Sequence, residues 1–508
     1  MKIYHKKDIP DREEVLSGVS FPFGREITQE ENDLRKCGTK DTIISGKNGR
    51  EMIKVNAAAK KNKYEIDMCN GSIMDKLISF SLPLMLSGIL QLLFNAVDIV
   101  VVGRFSGRQA LAAVGSTTAL INVFVNLFIG VSLGANVLAA RFYAAKKEKE
   151  MSEVVHTAVT FALVSGILMV FVGFFCSRGA LTLMGTPGDV IELSALYMKI
   201  YFMGMPFFML YNYGAAILRA IGDTKRPLLF LIIAGGINVC LNLLLVIEFH
   251  LGVAGVAIGT VISQMVSSVL VLRCLWRAES SYQLRISKLK IQKNHLKQIF
   301  QIGVPAGIQS MVINFSNVLL QSSVNSFGSI AMAGYTAANN IFGFLYTSAN
   351  SVSQACMSFT SQNYGVGKWK RVDRVLVDCM ILTTGVMLVL GGGAYLFGHQ
   401  LLGIYTSDAE VIQCGMEILL YTTVTYFLCG LMDLFPGSMR GMGYSLVPMI
   451  ISVIGTVGLR IVWIGWVFPA HRSLDVLFIS YPASWILTII MQVICFYFVR
   501  KRVHKKVV

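Results

Sequence analysis

The feature that most constrains this chain is a series of twelve apolar segments, each of about 20 residues or more. A helix of about 20 apolar residues crosses a hydrocarbon core of about 30 Å. Only 15% of the 508 residues are charged, and the mean hydropathy is +0.61. We therefore predict an all-α membrane protein with twelve transmembrane helices, at residues 76–102, 112–140, 153–176, 189–216, 227–247, 253–274, 299–325, 333–360, 375–398, 411–438, 447–467 and 476–499.

The loops between these segments alternate sharply in charge. The loops on one side, with the C-terminal tail, carry about 24 Lys and Arg, against about 4 on the other side. Positive residues in short loops favour the cytosolic side, so we predict a multi-pass protein of the cell membrane with both termini in the cytosol. The net charge of +16 then reflects membrane topology, and no nucleic-acid partner is expected.

The first 72 residues differ from the rest of the chain. They hold about 26 charges of mixed sign and no apolar run of spanning length, a composition typical of disorder. We predict a disordered cytosolic extension over residues 1–72, and expect that deletion of residues 1–65 leaves folding and transport intact. The other predicted units are an N-terminal lobe at 73–275, a basic cytosolic loop at 276–298, a C-terminal lobe at 299–500 and a basic cytosolic tail at 501–508.

An internal repeat divides the apolar part into two halves. The motif LRAIGDTKRP at 218–227 returns as MRGMGYSLVP at 439–448, and GRQALAAVG at 107–115 returns as GSIAMAGYT at 328–336. Six spans in each half make the repeats parallel, a plan in which carriers bind substrate between the halves and alternate access by rocking. Pro83 and Pro305 match in the first helix of each half, and because proline removes a helix hydrogen bond we predict hinges there.

Four motifs resemble those of the multidrug and toxic compound extrusion (MATE) family, in the style of its Gram-positive bacterial members. They are FSLPLMLSGILQLLFNAVDIVVVGRF, GVSLGANVLAARFYAAKK, LRAIGDTKRP and MRGMGYSLVPMIISVIG. The resemblance covers about residues 70–500 and implies a V-shaped carrier built from two homologous six-helix bundles. It implies export of cationic or amphiphilic small molecules in exchange for H⁺ or Na⁺ by alternating access, in membrane lipid and with no cofactor besides the coupling ion. We expect a monomer.

Other classes of protein fit the sequence less well. The alternative is a lipid-linked oligosaccharide flippase of the same superfamily, but such proteins usually have more than twelve spans and a strongly cationic cavity. An enzyme is not expected, because the seven His fall in tails, loops or span ends and no nucleophile–base pair is evident. The ten Cys are scattered, without the spacing of a metal site or a disulfide framework.

The first apolar segment contains a carboxylate that lipid disfavours. Gln91, Asn95 and Asp98 share one helical stripe, because positions i, i+4 and i+7 face the same way. A charge at the bilayer centre costs about 2.5–3.5 kcal/mol on insertion scales. We therefore expect the stripe to face protein or a water-filled cleft and to bind the coupling ion or a cationic substrate. The alternatives are a structural Asp98 bonded to neighbouring helices, or an ion pair with Lys199.

Amide and tyrosine side chains accompany this carboxylate in neighbouring spans. Asn238 and Asn242 lie one turn apart in the fifth span, and Tyr201 lies in the fourth. Hard cations favour oxygen ligands, so Asp98, Asn238 and Asn242 could hold Na⁺, although no firm metal site is predicted. Members of the resembled family often carry Asp where this chain has Asn242, which leaves the lobe one carboxylate short. The alternative for each amide is an interhelical polar contact.

The C-terminal half contains fewer acidic residues in its apolar segments. Asp433 in the tenth span is the main acid of this lobe, and Asn314 and Asn317 lie in the seventh span. We expect these side chains to bind substrate or ion. The alternative for Asp433 is a structural ion pair, for which Arg460 is the candidate partner.

Overall fold

The computed structural model describes residues 41–45, 52–56 and 64–505, and residues 64–505 form one compact unit. This unit is helical throughout. Its helices are α1 Met74–Phe105, α2 Gly107–Ala144, α3 Glu148–Leu183, α4 Ile191–Met203, α5 Met205–Ala220, α6 Lys225–Glu248, α7 Gly252–Trp276, α8 Lys293–Asn325, α9 Ser329–Gly365, α10 Trp369–Leu396, α11 Gly398–Gly403, α12 Ala409–Thr423, α13 Tyr426–Gly441, α14 Leu446–Ala470 and α15 Leu474–Lys505. A separate antiparallel hairpin pairs β1 Asp41–Ser45 with β2 Met52–Asn56.

Each of the twelve predicted segments corresponds to one helix or to one bent pair of helices, and the short α11 lies between two of them. By length and composition, nine single helices within residues 64–505 could cross a membrane. Two bent pairs, α4 with α5 and α12 with α13, raise that number to eleven. The predicted eighth segment, 333–360, lies within α9, whose 37 residues are long enough but less apolar than the others. The all-α architecture is therefore confirmed.

The bends do not occur at the prolines. Helices α1 and α8 run unbroken through Pro83 and Pro305. The chain instead bends by 46° around Gly204, between α4 and α5, and by 42° at residues 424–425, between α12 and α13. That the two prolines act as hinges during transport stays a prediction.

The backbone repeats as the sequence does. Residues with positive φ recur 221 positions apart at three turns: Gly107 and Gly328 (84° and 96°), Lys146 and Gly367 (55° and 71°), and Gly222 and Gly443 (95° and 93°). The bends at Gly204 and at residues 424–425 obey the same shift. Glycine is favoured where the backbone is left-handed, and five of these six positions are glycine. The two halves therefore fold alike.

Packing crosses the boundary between the halves. One hydrophobic core is formed mainly by the N-terminal half and a second by the C-terminal half. A third core joins the beginning of α1, through Leu77 and Phe80, to residues of α9 and α10 such as Phe359 and Val375. In the same way, α8, the first helix of the second half, places Ile299 in the core of the N-terminal half. Each half therefore contributes side chains to a hydrophobic core of the other half.

The closest contact between the halves joins α2 to α8 through glycines. Gly130 and Gly134 of α2 face Gly303 and Gly307 of α8, each pair in GxxxG spacing. A Cβ at Gly303 would lie 2.8 Å from the carbonyl oxygens of both Gly130 and Val131. Small residues at this spacing let two helix backbones approach closely, so these four glycines determine how tightly the halves meet.

Residues 64–73, which we call the bridging segment, precede α1 and contact both halves. On the N-terminal half, Glu65 accepts hydrogen bonds from Tyr143 at the end of α2 (2.7 Å) and from Tyr282 in the loop after α7 (2.8 Å). The turn at Gly222 leaves no room for a side chain, since a Cβ there would lie 2.6 Å from Ile66 backbone atoms.

The same segment is held on the C-terminal half by donors from α9, α10 and the turn between them. Asn363 and Arg371 donate to the carbonyl of Met68 (3.1 and 3.2 Å), and Lys368 donates to the carbonyl of Cys69 (2.9 Å). The Met68 side chain is completely buried. The extension predicted over residues 1–72 is therefore too long: residues 64–72 pack against the helices, and most of the remaining prediction lies outside the described residues.

Candidate functional site

Asp98 lies at the centre of a polar cluster formed by three helices of the N-terminal half. Asn242 of α6 donates to Asp98 Oδ1 and also lies 3.3 Å from Asn238 Oδ1. Thr260 of α7 donates to Asp98 Oδ2 at 3.4 Å, and Asn238 Nδ2 donates to Thr260 Oγ1 at the same distance. The exposed fractions of Asp98, Asn238 and Asn242 are 9%, 5% and 0%. The structure thus unites three predicted residues and adds Thr260.

The cluster contains a buried acceptor with no donor. Asn242 Oδ1 has no hydrogen-bond partner among the described residues, although its side chain is fully buried. Such a group costs free energy unless a proton donor or a cation meets it. Together with the Asp98 carboxylate, Asn238 Oδ1 and Thr260 Oγ1, it supplies the oxygen ligands that Na⁺ prefers. The same carboxylate can instead take up a proton.

Other predicted residues of this half lie around the cluster rather than in it. Tyr201 lies near Gln264 of α7 and within electrostatic range of Asp98. Gln91 and Asn95 are exposed on α1 and make no side-chain hydrogen bond within residues 64–505. Their exposure leaves them free to meet a ligand, but the structure does not join them to the hydrogen-bonded cluster.

The proposed ion pair between Lys199 and Asp98 is absent. No Lys or Arg nitrogen of the described chain lies within 4 Å of the Asp98 carboxylate. The Lys199 ammonium lies 5.4 Å from the ring centroid of Phe174. Asp98 is therefore an unpaired carboxylate within hydrogen-bonding reach of neutral groups only.

The C-terminal half contains a cavity of about 300 Å³. Three predicted residues line it, Asn314 and Asn317 from α8 and Asp433 from α13. Asn126 of α2 reaches the same cavity from the N-terminal half. Five aromatic residues also line it: Phe342, Tyr346, Tyr426, Tyr481 and Trp485.

The two charged groups of this cavity do not pair with one another. Asp433 and Arg460 both line it, yet no ion pair within 4 Å joins them in residues 64–505, so the predicted alternative of a structural pair is wrong. Arg460 instead donates to Asn317 Oδ1 at 2.9 Å and to Ser316 Oγ at 3.4 Å. Arg440 lies within electrostatic range of Asp433, and its guanidinium donates to Gln309.

Sequence reasoning missed Thr260 and the aromatic residues of this cavity. Thr260 and Gln264 are four residues apart in the sixth span, so a polar stripe was present, but hydroxyls in membrane helices often bond their own backbone. Tyr481 and Trp485 are likewise one turn apart in α15. Nothing in the sequence indicates that this turn faces Arg460, because that contact joins distant helices.

Comparison with known proteins follows the same division into halves. The MatE family model matches residues 83–244 and 305–464, one stretch in each repeat. The chain belongs to the MatE family. It is 31% identical over 445 residues to the "Probable multidrug resistance protein YoeA" of Bacillus subtilis, with 85% of this chain and 95% of that protein covered. It is 23% identical over 383 residues to the "Multidrug export protein MepA" of Staphylococcus aureus, with 75% and 84% covered. The predicted resemblance to Gram-positive members is confirmed.

Solved structures share the fold of this MatE protein. One described as the outward-facing conformation of a multidrug resistance MATE family transporter superposes with a TM-score of 0.80 at 20% identity, covering 88% of this chain and 99% of that one. A transporter from Pyrococcus furiosus, described as having a binding pocket of reverse polarity, gives 0.79 at 20% identity, covering 86% and 97%. These similarities establish the two-lobed architecture of MATE transporters.

Proposed function

We propose that this MatE protein exports cationic or amphiphilic small molecules in exchange for H⁺ or Na⁺. The observation that carries the proposal is the buried cluster of Asp98, Asn238, Asn242 and Thr260, which has a carboxylate without a cationic partner and an amide oxygen without a donor. An ionised, unpaired carboxylate inside a membrane protein is costly. A coupling cation or proton relieves that cost, so its binding and release can drive a change between states.

The exchange is proposed to follow alternating access. The two halves meet through α2 and α8 and through the core that α1 shares with α9 and α10. Rocking of parallel halves about such contacts exposes a site first to one side of the membrane and then to the other. A cation at Asp98 and a substrate at the same cluster then exclude one another, which is the requirement for exchange.

We place the protein in the cell membrane with the bridging segment and both termini in the cytosol. The Lys- and Arg-rich loops at 141–150, 273–298 and 364–374 support this orientation. Cysteine labelling tests it: positions 142–150 and 366–372 should react only from the cytosolic side, and positions 178–188 only from outside. Labelling of both groups from one side would contradict the topology.

Transport by Asp98→Asn tests the assignment of coupling. This change keeps the shape of the side chain but removes its charge and its proton. In proteoliposomes loaded with the cationic dye rhodamine 123, we expect the wild type to respond to an imposed H⁺ or Na⁺ gradient, and gradients of one ion at a time identify which. The gradient-driven efflux rate of Asp98→Asn should be at least tenfold lower than that of the wild type.

Asp75→Asn is the matched control, since Asp75 is an exposed carboxylate in the first turn of the same helix. It should transport as the wild type does. Normal gradient-driven efflux by well-folded Asp98→Asn would show that coupling resides elsewhere.

A further inference from the structure

The loop between α7 and α8, residues 277–292, is folded onto the beginning of α3. The main-chain N–H of Arg285 donates to His156 Nε2 at 3.0 Å, and the main-chain N–H of Gln292 donates to Thr157 Oγ1 at 3.1 Å. Both acceptor side chains belong to α3 and are buried. These bonds give the loop a fixed position on the N-terminal half.

A cavity of about 650 Å³ lies between this loop and the first turns of α3. Its size is within the range of small-molecule sites, which is about 300–1,000 Å³. Such sites are lined mainly by apolar side chains, but every residue that lines this cavity is polar or charged. The cavity offers no apolar surface to an acyl chain or to a hydrophobic drug, so a ligand that fills it must be hydrophilic.

Four cationic side chains line this cavity, one from α3 and three from the loop: Lys149, Arg285, Lys288 and Lys290. Within residues 64–505, no carboxylate oxygen lies within 4 Å of their side-chain nitrogens. Glu148 and Glu153 also line the cavity, but Glu153 lies 2.9 Å from His295 Nε2 and is engaged there. The cavity therefore carries a net positive charge. A cleft lined mainly by one sign of charge attracts ions of the other sign.

The corresponding surface of the C-terminal half is neutralised by the protein's own side chains. Helix α10 is the counterpart of α3 in the repeat, 221 residues later. There Arg374 pairs with Asp378 at 2.9 Å, and Arg500 of α15 pairs with Asp373 at 2.8 Å. The residue of α3 that corresponds to Asp373 is Ser152, which lines the cavity. The first half thus lacks an acid that pairs with a cation in the second half.

Neutral donors accompany the four cations. The hydroxyls of Ser152, Ser280 and Ser281 belong to residues that line the cavity. Helix α3 begins beside it at Glu148, and no described side chain caps the first N–H groups of this helix. Lysine, arginine, hydroxyl and helix N-terminal donors are the groups that bind phosphate oxygens in proteins. Because the cations outnumber what one carboxylate can neutralise, this set favours an anion with more than one negative charge.

We propose that this cavity binds a phosphorylated small molecule with two or more negative charges, held by Lys149, Arg285, Lys288 and Lys290. The ligand joins α3 of the first half to the loop that leads into the second half. The cavity is lined by none of the residues of the Asp98 cluster or of the cavity in the C-terminal half. Binding there is therefore a property additional to the proposed export, and does not depend on it.

Titration with inorganic pyrophosphate tests the proposal. The full-length protein is placed in nanodiscs of phosphatidylcholine, which has no net charge, and binding is measured by isothermal titration calorimetry. We expect saturable binding of one pyrophosphate per chain to the wild type. The double variant Lys288→Gln, Lys290→Gln should weaken this binding at least tenfold, which is about 1.4 kcal/mol.

Two lysines at equivalent positions of the repeat provide the matched control. Lys149 lines the cavity at the beginning of α3, and Lys370 is its counterpart at the beginning of α10. Lys149→Gln should weaken pyrophosphate binding at least threefold, whereas Lys370→Gln should leave it unchanged. Both residues are exposed, as are Lys288 and Lys290, so we expect all the variants to keep the wild-type midpoint of thermal unfolding in the absence of ligand.

A second nanodisc composition identifies the source of the phosphate. If a lipid headgroup occupies the cavity, adding phosphatidylglycerol to the nanodiscs should prevent pyrophosphate from binding, which would support the site with a lipid as its ligand. Equal binding in both compositions would assign the site to a soluble phosphorylated molecule, as its polar lining favours.

Two results would overturn the proposal. One is the absence of saturable pyrophosphate binding to the wild type in phosphatidylcholine nanodiscs. The other is an equal effect of Lys149→Gln and Lys370→Gln, which would show that pyrophosphate responds only to the total charge of the protein. Neither result affects rhodamine 123 transport, so a failure of this site is distinct from a failure of the export function.

Discussion

Asp98 accepts one hydrogen bond from each of two neighbouring helices, from Asn242 of α6 and from Thr260 of α7. A hydrogen bond to a charged group contributes about 1.5–3 kcal/mol net. With so few donors, the loss of either one changes the balance between the empty, protonated and cation-bound carboxylate. We therefore expect transport to depend on the uncharged donors, Asn242 and Thr260, as well as on Asp98.

Thr260→Val removes the hydroxyl and keeps the branched shape. We expect gradient-driven efflux of rhodamine 123 to fall severalfold, less than in Asp98→Asn, because Asp98 keeps its charge and its bond from Asn242. Ser267→Ala is the matched control on the same helix: within residues 64–505 the buried Ser267 hydroxyl bonds only to the carbonyl of Gln264, at 2.9 Å. If both variants transported equally well, Thr260 would have no part in the site.

At the scale of elements, the contact between α2 and α8 has almost no tolerance for added volume. Both helices place a GxxxG pair at the contact, and their backbones meet there. The bends around Gly204 and at residues 424–425 lie away from this contact, within the fourth and tenth spans. The helix pair between the halves is therefore closely packed, whereas the two bends lie in the fourth and tenth spans.

Gly303→Ala adds one methyl group to this contact. The new Cβ would lie 2.8 Å from two carbonyl oxygens of α2, and such overpacking typically costs about 1–3 kcal/mol. We expect a lower midpoint of thermal unfolding in detergent. Gly393→Ala, in α10 with no atom within 4 Å of its Cβ, should be neutral or slightly stabilising, because alanine favours helix over glycine. Equal midpoints of thermal unfolding for the two variants would contradict the close approach of α2 and α8 at Gly303.

At the scale of the whole molecule, the bridging segment (residues 64–73) ties the two halves together at the end where α1 begins. Its bonds to Tyr143 and Tyr282 on one side and to Lys368 and Arg371 on the other must change if the halves separate there. We therefore expect the segment to stabilise the state closed at this end.

Two deletions test that expectation. Removal of residues 1–63 leaves the bridging segment in place and should preserve stability and transport. Removal of residues 1–72 takes away the contacts with both halves and should lower thermal stability and transport rate. The sequence-based boundary at residue 65 falls inside the segment, since Glu65 accepts two of its hydrogen bonds. Identical behaviour of the two deletions would show that the segment has no role.

The reactivity of Cys69 reports whether the segment is seated. Burial raises the pKa of the Cys69 thiol, and this exceeds the opposing effect of Lys368 and Arg371, so less thiolate is present and alkylation by a maleimide is slow. In a variant with the other nine cysteines replaced by alanine, Glu65→Ala should release the segment and increase the rate of alkylation severalfold. Asp75→Ala, a change of an exposed residue, should leave the alkylation rate of Cys69 unchanged. An unchanged rate for Glu65→Ala would contradict the role of Glu65 in holding the bridging segment against the helices.

The amino-acid sequence was sufficient to predict the twelve helical segments, the duplication and the polar residues that lipid disfavours. These follow from local properties: apolar length matches the bilayer, repeated glycines mark repeated left-handed turns, and a carboxylate such as Asp98 needs protein or water around it. Which polar groups meet became clear from the packing of the helices. Thr260 joins Asp98, and Arg460 lies by Tyr481 apart from Asp433, because hydrogen-bond and ring contacts act over a few ångströms between helices that are far apart in the chain.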